Sequence, residues 1–146
     1  MKILKLFLLI SLVSLFTVCK SPSIIYDLSI IQDKLDSVSS QNKKLIILFG
    51  ASWCPDCNAL DRLLGEPNIK QLIDKKFIIQ KVDVGRFDKN LELNEKLGNP
   101  IDNGIPALVI LDPKAKNPVI ANTTGGEFSS ASKMSSEQVF KYLNQF

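Results

Sequence analysis

The sequence contains no histidine and only three cysteines, Cys19, Cys54 and Cys57, in 146 residues. Without histidine, a single chain provides neither a Cys–His nucleophile pair nor a zinc site of mixed cysteine and histidine ligands. Cys19 lies in an N-terminal segment that we assign to a targeting signal, so the folded part keeps two cysteines. Two thiolates do not complete the four ligands of a structural zinc site. We therefore predict no metal site and no cofactor, and Cys54 and Cys57 form either a reactive dithiol or a structural disulfide.

An excess of charge of one sign is also missing. The formal net charge is +3, and it falls to zero once Lys2, Lys5 and Lys20 of the N-terminal segment are left out. The remaining lysines are spread along the chain. Because nucleic-acid binding needs a concentrated basic surface, we expect no nucleic-acid partner.

The N-terminal segment has the pattern of an export signal. Lys2 and Lys5 flank the start of an apolar stretch, and residues 6–18 carry no charge. A secretory signal has an apolar region of ~7–15 residues, whereas a membrane-spanning helix needs ~20. We predict a signal peptide over residues 1–21 and one domain over residues 22–146, exported to the periplasm or cell envelope. An uncleaved membrane anchor is the alternative interpretation.

The end of the signal has two interpretations. Cys19 follows the stretch LFTV, which resembles a bacterial lipobox, the motif in which a cysteine receives a lipid after cleavage in front of it. The lipobox favours a small residue before the cysteine, and Val18 is not small. Ordinary cleavage near Ser21 or Ser23 is the alternative. Lipidation of Cys19 would tether the protein to a membrane that it does not span.

The rest of the chain alternates helical and strand patterns. Apolar residues recur at helical spacing from Ile24 to Val38, and the run KLIILFG over residues 44–50 is typical of a strand buried on both faces. Ser135 and Gln138 form a capping box before the last helix. Further patterns predict helices from residue 55 and over 68–76, a short helix within residues 86–98 that ends at Gly98, and strands over 77–84, 106–112 and 119–124. This order indicates an α/β fold in which a central mixed β-sheet is flanked by helices on both faces.

The stretch WCPDC places both cysteines at the start of a helix. With Pro55 as the first helical residue, Cys54 is the N-cap and Cys57 lies three residues later, about 5–6 Å away. This separation suits a disulfide, so the bond would form and break with almost no backbone movement. At the helix N-terminus Cys54 is the attacking thiolate, and the more buried Cys57 is the resolving thiol. A permanent disulfide is the alternative, but so short a loop constrains the unfolded chain little.

This combination resembles the thioredoxin superfamily. The resemblance rests on LIILFGASWCPDC, on the later Ile105-Pro106, and on the final hairpin and helix, and it covers residues 24–146. It implies the thioredoxin fold, here of the kind seen in exported thioredoxin-like proteins of bacteria. It also implies a cis peptide bond before Pro106, substrate docking on the backbone of Ile105, and shielding of the dithiol by Trp53.

One position departs from the superfamily pattern. General reductases of the superfamily carry a buried aspartate six residues before the first cysteine, where this chain has Leu48. Lys81 matches a partly buried lysine of the superfamily on the next strand, without that acidic partner; a plain surface lysine is the alternative. The usual proton acceptor for Cys57 is therefore missing from its place, and Asp56 or water is the expected substitute.

The dipeptide between the cysteines, Pro55-Asp56, bears on the direction of electron flow. The charge of Asp56 beside Cys54 should raise the pKa of that thiol and make the disulfide harder to reduce, as in a reductant. Asp56 also suits the first turn of a helix for structural reasons. We predict a monomeric thiol–disulfide oxidoreductase that reduces or isomerises disulfides of exported proteins and takes electrons from a membrane donor. A disulfide oxidase and a non-catalytic binding module of the same fold are the alternatives.

Overall fold

A computed structural model describes residues 28–146 of the chain. The predicted signal peptide, the lipidation candidate Cys19 and the first residues of the predicted N-terminal helix lie outside this range, so they stay predictions. Within the range, no helix is long and apolar enough to cross a membrane. The elements are α1 (Leu28–Ser40), β1 (Lys44–Gly50), α2 (Pro55–Leu64), α3 (Pro67–Lys76), β2 (Phe77–Asp83), α4 (Leu91–Lys96), β3 (Ala107–Leu111), β4 (Val119–Asn122), a 3₁₀ turn (Ala131–Lys133) and α5 (Ser136–Asn144).

The four strands form one mixed sheet in the order β2-β1-β3-β4. β1 pairs in parallel with β2 and antiparallel with β3, and β3 pairs antiparallel with β4. β1 therefore lies in the interior of the sheet, and its five central residues, 45–49, are all buried. The mixed sheet and the final hairpin confirm the architecture predicted from the sequence.

The two faces of β1 support two separate layers of helices. Leu45, Ile47 and Phe49 belong to a core cluster with residues of α1 and α4. Ile46 and Leu48 belong to a second cluster with residues of α2, α3 and α5. Since successive strand residues point to opposite faces, the uninterrupted apolar run of β1 fills both cores, and each fully buried side chain contributes roughly 1.5–3 kcal/mol. Helices thus flank the sheet on both faces, as predicted.

The short helix predicted within residues 86–98 is confirmed as the six residues of α4, and Gly98, with φ of 82°, follows its end. The helix begins only after Asn90, because Phe87 and Asn90 have φ values of 63° and 56°. Positive φ is incompatible with a right-handed helix. The 3₁₀ turn before α5 was not predicted, whereas the capping box of α5 is confirmed by hydrogen bonds in both directions between Ser135 and Gln138.

Candidate redox site

The site is built where β1 gives way to α2. Cys54 is the N-cap of α2, with extended backbone angles of −83° and 116°, and Pro55 is among the first helical residues. The backbone N–H of Cys57 donates a hydrogen bond to the Sγ atom of Cys54 at 3.0 Å. An N–H of the first helical turn, which has no acceptor within the helix, thus points at the sulfur, where it favours the thiolate form of Cys54. The predicted N-cap position of Cys54 is confirmed.

Cys54 and Cys57 are joined by a disulfide, with their Cα atoms 5.2 Å apart. This distance lies within the ~4.4–6.8 Å that disulfides accept. Both cysteines lie on one continuous strand–turn–helix segment, so the disulfide can open and close with little movement of the backbone.

The relative burial of the two cysteines differs from the prediction. Cys54 is 3% exposed and Cys57 is 9% exposed, so the expectation that Cys57 is the more buried of the two is wrong. Cys54 is covered because its Sγ atom lies 3.6 Å from the carbonyl oxygen of Ile105. Cys57 instead borders a cavity. The cover over Cys54 comes from a segment 51 residues away, which local helical geometry does not reveal.

The segment that covers Cys54 ends in the predicted cis-proline. The peptide bond between Ile105 and Pro106 is cis, which confirms the expectation. Both residues directly precede β3, and the pairing of β3 with β1 brings them to the cysteines. The carbonyl of Ile105 therefore lies at the reactive sulfur, while its role in substrate docking stays a prediction.

Trp53 is the most exposed large hydrophobic residue among the described residues, with 47% of its surface accessible. Its indole Nε1–H donates a hydrogen bond to the carbonyl oxygen of Gly85 at 2.7 Å. Its ring meets the ring of Phe87 edge-on, with the centroids 6.1 Å apart. The loop after β2 thus holds the indole in place. Shielding of the disulfide by Trp53 stays a prediction, and neither Gly85 nor Phe87 was identified from the sequence.

Asp56 is engaged by the 3₁₀ turn. Its Oδ1 atom accepts a hydrogen bond from the backbone N–H of Ser132 at 2.8 Å. Hydrogen bonds from the backbone and side chain of Ser132, together with the charge of Lys133, hold the pKa of Asp56 below its ordinary value. The carboxylate therefore ties α2 to the segment before α5, an arrangement that does not favour it as the proton acceptor for Cys57. Its influence on Cys54 stays a prediction.

Lys81 corrects a second expectation. Its side chain is 63% exposed, so it is not the partly buried lysine that the resemblance implied. It lies on β2, an edge strand of the sheet, where a long side chain reaches water. It also has an acidic partner after all, because its Nζ atom lies 2.7 Å from Oδ1 of Asp61 on α2.

The fold and the dithiol site agree with the proteins that this chain resembles. The sequence matches a family model described as thioredoxin-like over residues 28–113. The chain belongs to the thioredoxin-like family. It is also 37% identical to a disulphide isomerase from Xylella fastidiosa, over 82% of this chain and 94% of that one, with a TM-score of 0.75.

More distant structures share the thioredoxin-like fold alone. A thioredoxin from Thermus thermophilus is 21% identical, covering 78% of this chain and 81% of that one, with a TM-score of 0.59. The C-terminal domain of DsbD from Neisseria meningitidis in its reduced form is 16% identical, covering 84% and 98%, with a TM-score of 0.55. Among proteins with curated functions, none gives a significant match to this sequence.

A cavity of about 390 Å³ lies beside Cys57 in this thioredoxin-like domain. Its walls include Leu48, Pro106 and the ion pair of Asp61 and Lys81. Leu48 is only 5% exposed and makes the wall apolar at the position where general reductases carry an aspartate. Asp83 also lines the cavity, which thus combines an apolar part of the wall with the Asp61–Lys81 ion pair and a second carboxylate.

Asp61 was missed from the sequence although a signal for it exists. It follows Cys57 by four positions, and such residues lie on the same face of a helix. The pairing of Asp61 with Lys81 joins a helix to a strand and has no local pattern. Among residues 28–146, no group of three or more histidine, cysteine or acidic side chains is placed to hold a metal ion.

Proposed function

We propose that this thioredoxin-like protein is a thiol–disulfide oxidoreductase of the bacterial cell envelope that reduces or isomerises disulfides in exported proteins. The observation that carries the proposal is the environment of one sulfur. The Sγ atom of Cys54 accepts the N–H of Cys57 at a helix start and lies beside the carbonyl of Ile105. The disulphide isomerase from Xylella fastidiosa, at 37% identity, supports the same class of chemistry.

Reduction begins at Cys54. Its thiolate attacks one sulfur of a substrate disulfide, a mixed disulfide forms, and the other substrate sulfur leaves as a thiolate that takes a proton from water. Cys57 then loses its proton and attacks the Sγ atom of Cys54, which releases the second substrate sulfur as a thiolate that also takes a proton from water. The substrate gains two electrons and two protons, and the enzyme becomes the disulfide form. In isomerisation, a substrate thiolate attacks the mixed disulfide instead and frees Cys54.

The second step needs a base for Cys57, and Asp61 is the residue we assign. Asp61 lies one helical turn beyond Cys57 and lines the same cavity. Its carboxylate is fixed by Lys81 at 2.7 Å. The cavity is large enough to hold water molecules, so one of them can carry the proton from the Cys57 thiol to the carboxylate.

Return to the dithiol form requires two electrons. Exported compartments hold no soluble reducing pool like that of the cytosol, so we assign the supply to an electron donor in the membrane. The export signal over residues 1–21, with lipidation of Cys19 or ordinary cleavage, belongs to this proposal.

Trapping of mixed disulfides tests the proposal. Cys57→Ser should accumulate covalent complexes with exported proteins that dithiothreitol releases, because the resolving thiol is gone. Cys54→Ser is the matched control and should trap nothing and fail to reduce insulin. A binding module would instead hold its partners without covalent bonds in both variants, which would refute the enzymatic function.

The direction of electron flow has its own measurement. Equilibration in glutathione buffers should give a reduction potential near that of thioredoxin, about −270 mV. A value near that of a strong oxidant, about −120 mV, would replace the reductase by a disulfide oxidase.

A further inference from the structure

Seven lysines that are scattered along the sequence lie together at one end of the folded domain. Lys44 is the first residue of β1 and pairs in register with Phe77, the first residue of β2. Lys75 and Lys76 directly precede Phe77 in the chain. β3 runs antiparallel to β1, so the hairpin over residues 112–118 returns to the end of the sheet at which β1 and β2 begin.

Side-chain contacts join the other elements to this end. Nζ of Lys114 in the hairpin donates a hydrogen bond to Oδ1 of Asn42, just before β1. Nζ of Lys76 donates to Oδ1 of Asn144 at 3.1 Å, which brings the last turn of α5, with Lys141, to the same place. We name this group the lysine end, and it comprises Lys43, Lys44, Lys75, Lys76, Lys114, Lys116 and Lys141.

The charge of the lysine end is not neutralised by its own surroundings. In the part of the chain that the structure describes, Lys44 alone of the seven belongs to an ion pair, with Asp112 at 3.8 Å. Lys44 also donates a hydrogen bond to the backbone oxygen of Phe146, the last residue, at 2.9 Å. The carboxylate of Asp74 in α3 is held by Lys70 at 2.6 Å. On the dithiol side, by contrast, the lysines of β2 and of the loop after it each lie within 3.0 Å of a carboxylate.

Helix geometry accounts for only part of the cluster. The negative end of the helix dipole favours lysine in the last turn of a helix, where Lys75, Lys76 and Lys141 lie. Lys114 and Lys116 are exposed in the hairpin and belong to no helix. The charges of the hairpin therefore need an explanation other than the stability of a helix.

The residue types of the lysine end favour a lipid surface over a protein surface. Protein–protein interfaces are enriched in aromatic residues and arginine and depleted in lysine. The lysine end has no arginine, and the exposed large hydrophobic residues of the described chain, Trp53, Phe87 and Leu91, lie outside it. Lysines close to an anionic membrane surface, however, each strengthen binding severalfold without specific contacts.

We propose that the lysine end binds the anionic phospholipid headgroups of a membrane surface and thereby orients the domain. β1 runs from Lys44 to Gly50 with a rise of ~3.3 Å per residue, so it spans about 20 Å. The dithiol follows the far end of this strand. A domain bound in this way holds Cys54 away from the bilayer, where exported proteins reach it.

The proposed lipid anchor is compatible with this orientation. Residues 20–27 span up to about 28 Å when they are fully extended, which is enough to pass along the domain from Cys19 to the start of α1. The inference adds an interaction surface to the proposed function and does not depend on the chemistry of the dithiol.

Vesicle binding tests the proposal, with the full chain and vesicles of phosphatidylcholine with or without phosphatidylglycerol. The anionic vesicles should bind at least tenfold more tightly at low salt, and this ratio should fall towards one at high ionic strength. The ratio cancels the apolar contribution of the N-terminal segment, because both kinds of vesicle share it.

Two double variants remove equal charge from opposite ends of the domain. Lys114→Gln with Lys116→Gln should lower the ratio roughly tenfold. Arg86→Gln with Lys133→Gln is the matched control near Trp53 and Asp56, and should change the ratio less than twofold. Equal losses in both double variants would overturn the proposal, since net charge alone would then explain binding.

Trp53, the only tryptophan of the chain, reports the orientation. Brominated lipids in the anionic vesicles should leave its emission unchanged, because the dithiol side is held about 20 Å from the bilayer. Quenching would place the dithiol side against the membrane and overturn the proposal. Tighter binding to duplex DNA than to anionic vesicles at equal phosphate concentration would assign the lysine end to nucleic acid instead. A protein that binds anionic vesicles as expected but fails to reduce insulin would refute the proposed function and support this inference.

Discussion

The two cysteines of the redox site lie three residues apart and are joined by a disulfide, but their surroundings differ. The Cys54 side consists of Cys54, Trp53, the loop over residues 84–90 and the carbonyl of Ile105. The carbonyl lies against the sulfur, and the ring of Trp53, the residue before Cys54, meets the ring of Phe87. The Cys57 side consists of Cys57 and the cavity that reaches Asp61. The Cys54 side thus presents a backbone carbonyl and aromatic rings, and the Cys57 side presents a cavity lined by the carboxylates of Asp61 and Asp83.

This difference matches the two steps of disulfide exchange. In the proposed reaction, the first step needs a substrate chain to lie against the attacking sulfur, and the groups around Cys54 are the ones that such a chain would contact. The second step takes place inside the enzyme and needs only a proton acceptor and room to move, which the surroundings of Cys57 provide. Substitutions on the Cys54 side should therefore affect the attack on the substrate, and substitutions on the Cys57 side should affect the resolution of the mixed disulfide.

The largest effect is expected from Gly85→Ala, which damages the Cys54 side. Gly85 has φ of 60°, and a Cβ atom there would lie 2.1 Å from Oδ1 of Asp88, which holds the loop. Left-handed backbone at a residue other than glycine costs about 1–2 kcal/mol, and displacement of Asp88 adds to it. The free energy of unfolding should fall by about 2 kcal/mol, measured by urea denaturation.

A matched glycine isolates the conformational cause. Gly65→Ala changes a residue with φ of −81°, which alanine adopts readily. The added Cβ would lie 3.3 Å from the carbonyl oxygen of Arg62, a tight but not overlapping contact, so stability should change by less than about 1 kcal/mol. Trp53 is the only tryptophan, so its emission should shift towards that of free indole in Gly85→Ala. An unchanged spectrum together with unchanged stability would show that the loop does not hold the indole.

The next largest effect is expected on the Cys57 side. Asp61→Asn removes the assigned base while keeping the shape of the side chain, and should lower the rate of mixed-disulfide resolution roughly tenfold or more at pH 7. Attack by Cys54 should change much less. Single-turnover mixing with a labelled peptide disulfide separates the two rates.

Two further variants distinguish a base from an ion pair. Lys81→Met breaks the pair with Asp61 but keeps the carboxylate, and should slow resolution less than Asp61→Asn does. Leu48→Asp in the Asp61→Asn background places a carboxylate back on the cavity wall, and partial recovery of the rate is expected. Equal resolution rates in wild type and Asp61→Asn would show that Asp61 is not the base, which leaves water or Asp83 on the same cavity wall as the proton acceptor.

What the sequence predicted well depends on local patterns. The continuous apolar run of β1 predicts a strand buried on both faces, because successive side chains point to opposite sides of the sheet. The capping box predicts the start of α5 from two residues three positions apart. Pro55 predicts that Cys54 is the N-cap of α2. In each case the residues that decide the structure are neighbours in the chain. The family resemblance then supplied the cis bond before Pro106.

What the sequence did not predict depends on contacts between distant segments. The ion pair of Asp61 and Lys81 joins α2 to β2, and the bond from Ser132 to Asp56 spans 76 residues. The left-handed backbone of Phe87 was not predicted either, because a positive φ at a residue other than glycine leaves no signal in the apolar pattern. None of these features leaves a periodic pattern in the sequence, so each was recognised only in the three-dimensional structure.

The smallest predicted effect is a loosening of the Cys54 side by acid. Oδ1 of Asp83 accepts the N–H of Gly85 at 3.0 Å, and Oδ2 lies 3.0 Å from Nζ of Lys89. The bond from Gly85 and then that from Lys89 hold the pKa of Asp83 below its ordinary value, as Ser132 does for Asp56. Carboxylates with a lowered folded-state pKa add stability that is complete above the unfolded-state value near 3.9 and is lost as the pH falls through the folded-state value.

Measurement of stability between pH 6 and pH 2 tests this sign. The wild-type free energy of unfolding should decline below about pH 4, accompanied by a change in Trp53 emission. Asp83→Asn should be less stable at pH 6 by no more than about 1 kcal/mol, because the side chain is half exposed and screened by solvent, and its decline in acid should be shallower. A variant that declines as steeply as the wild type would show that Asp83 does not couple the loop to pH.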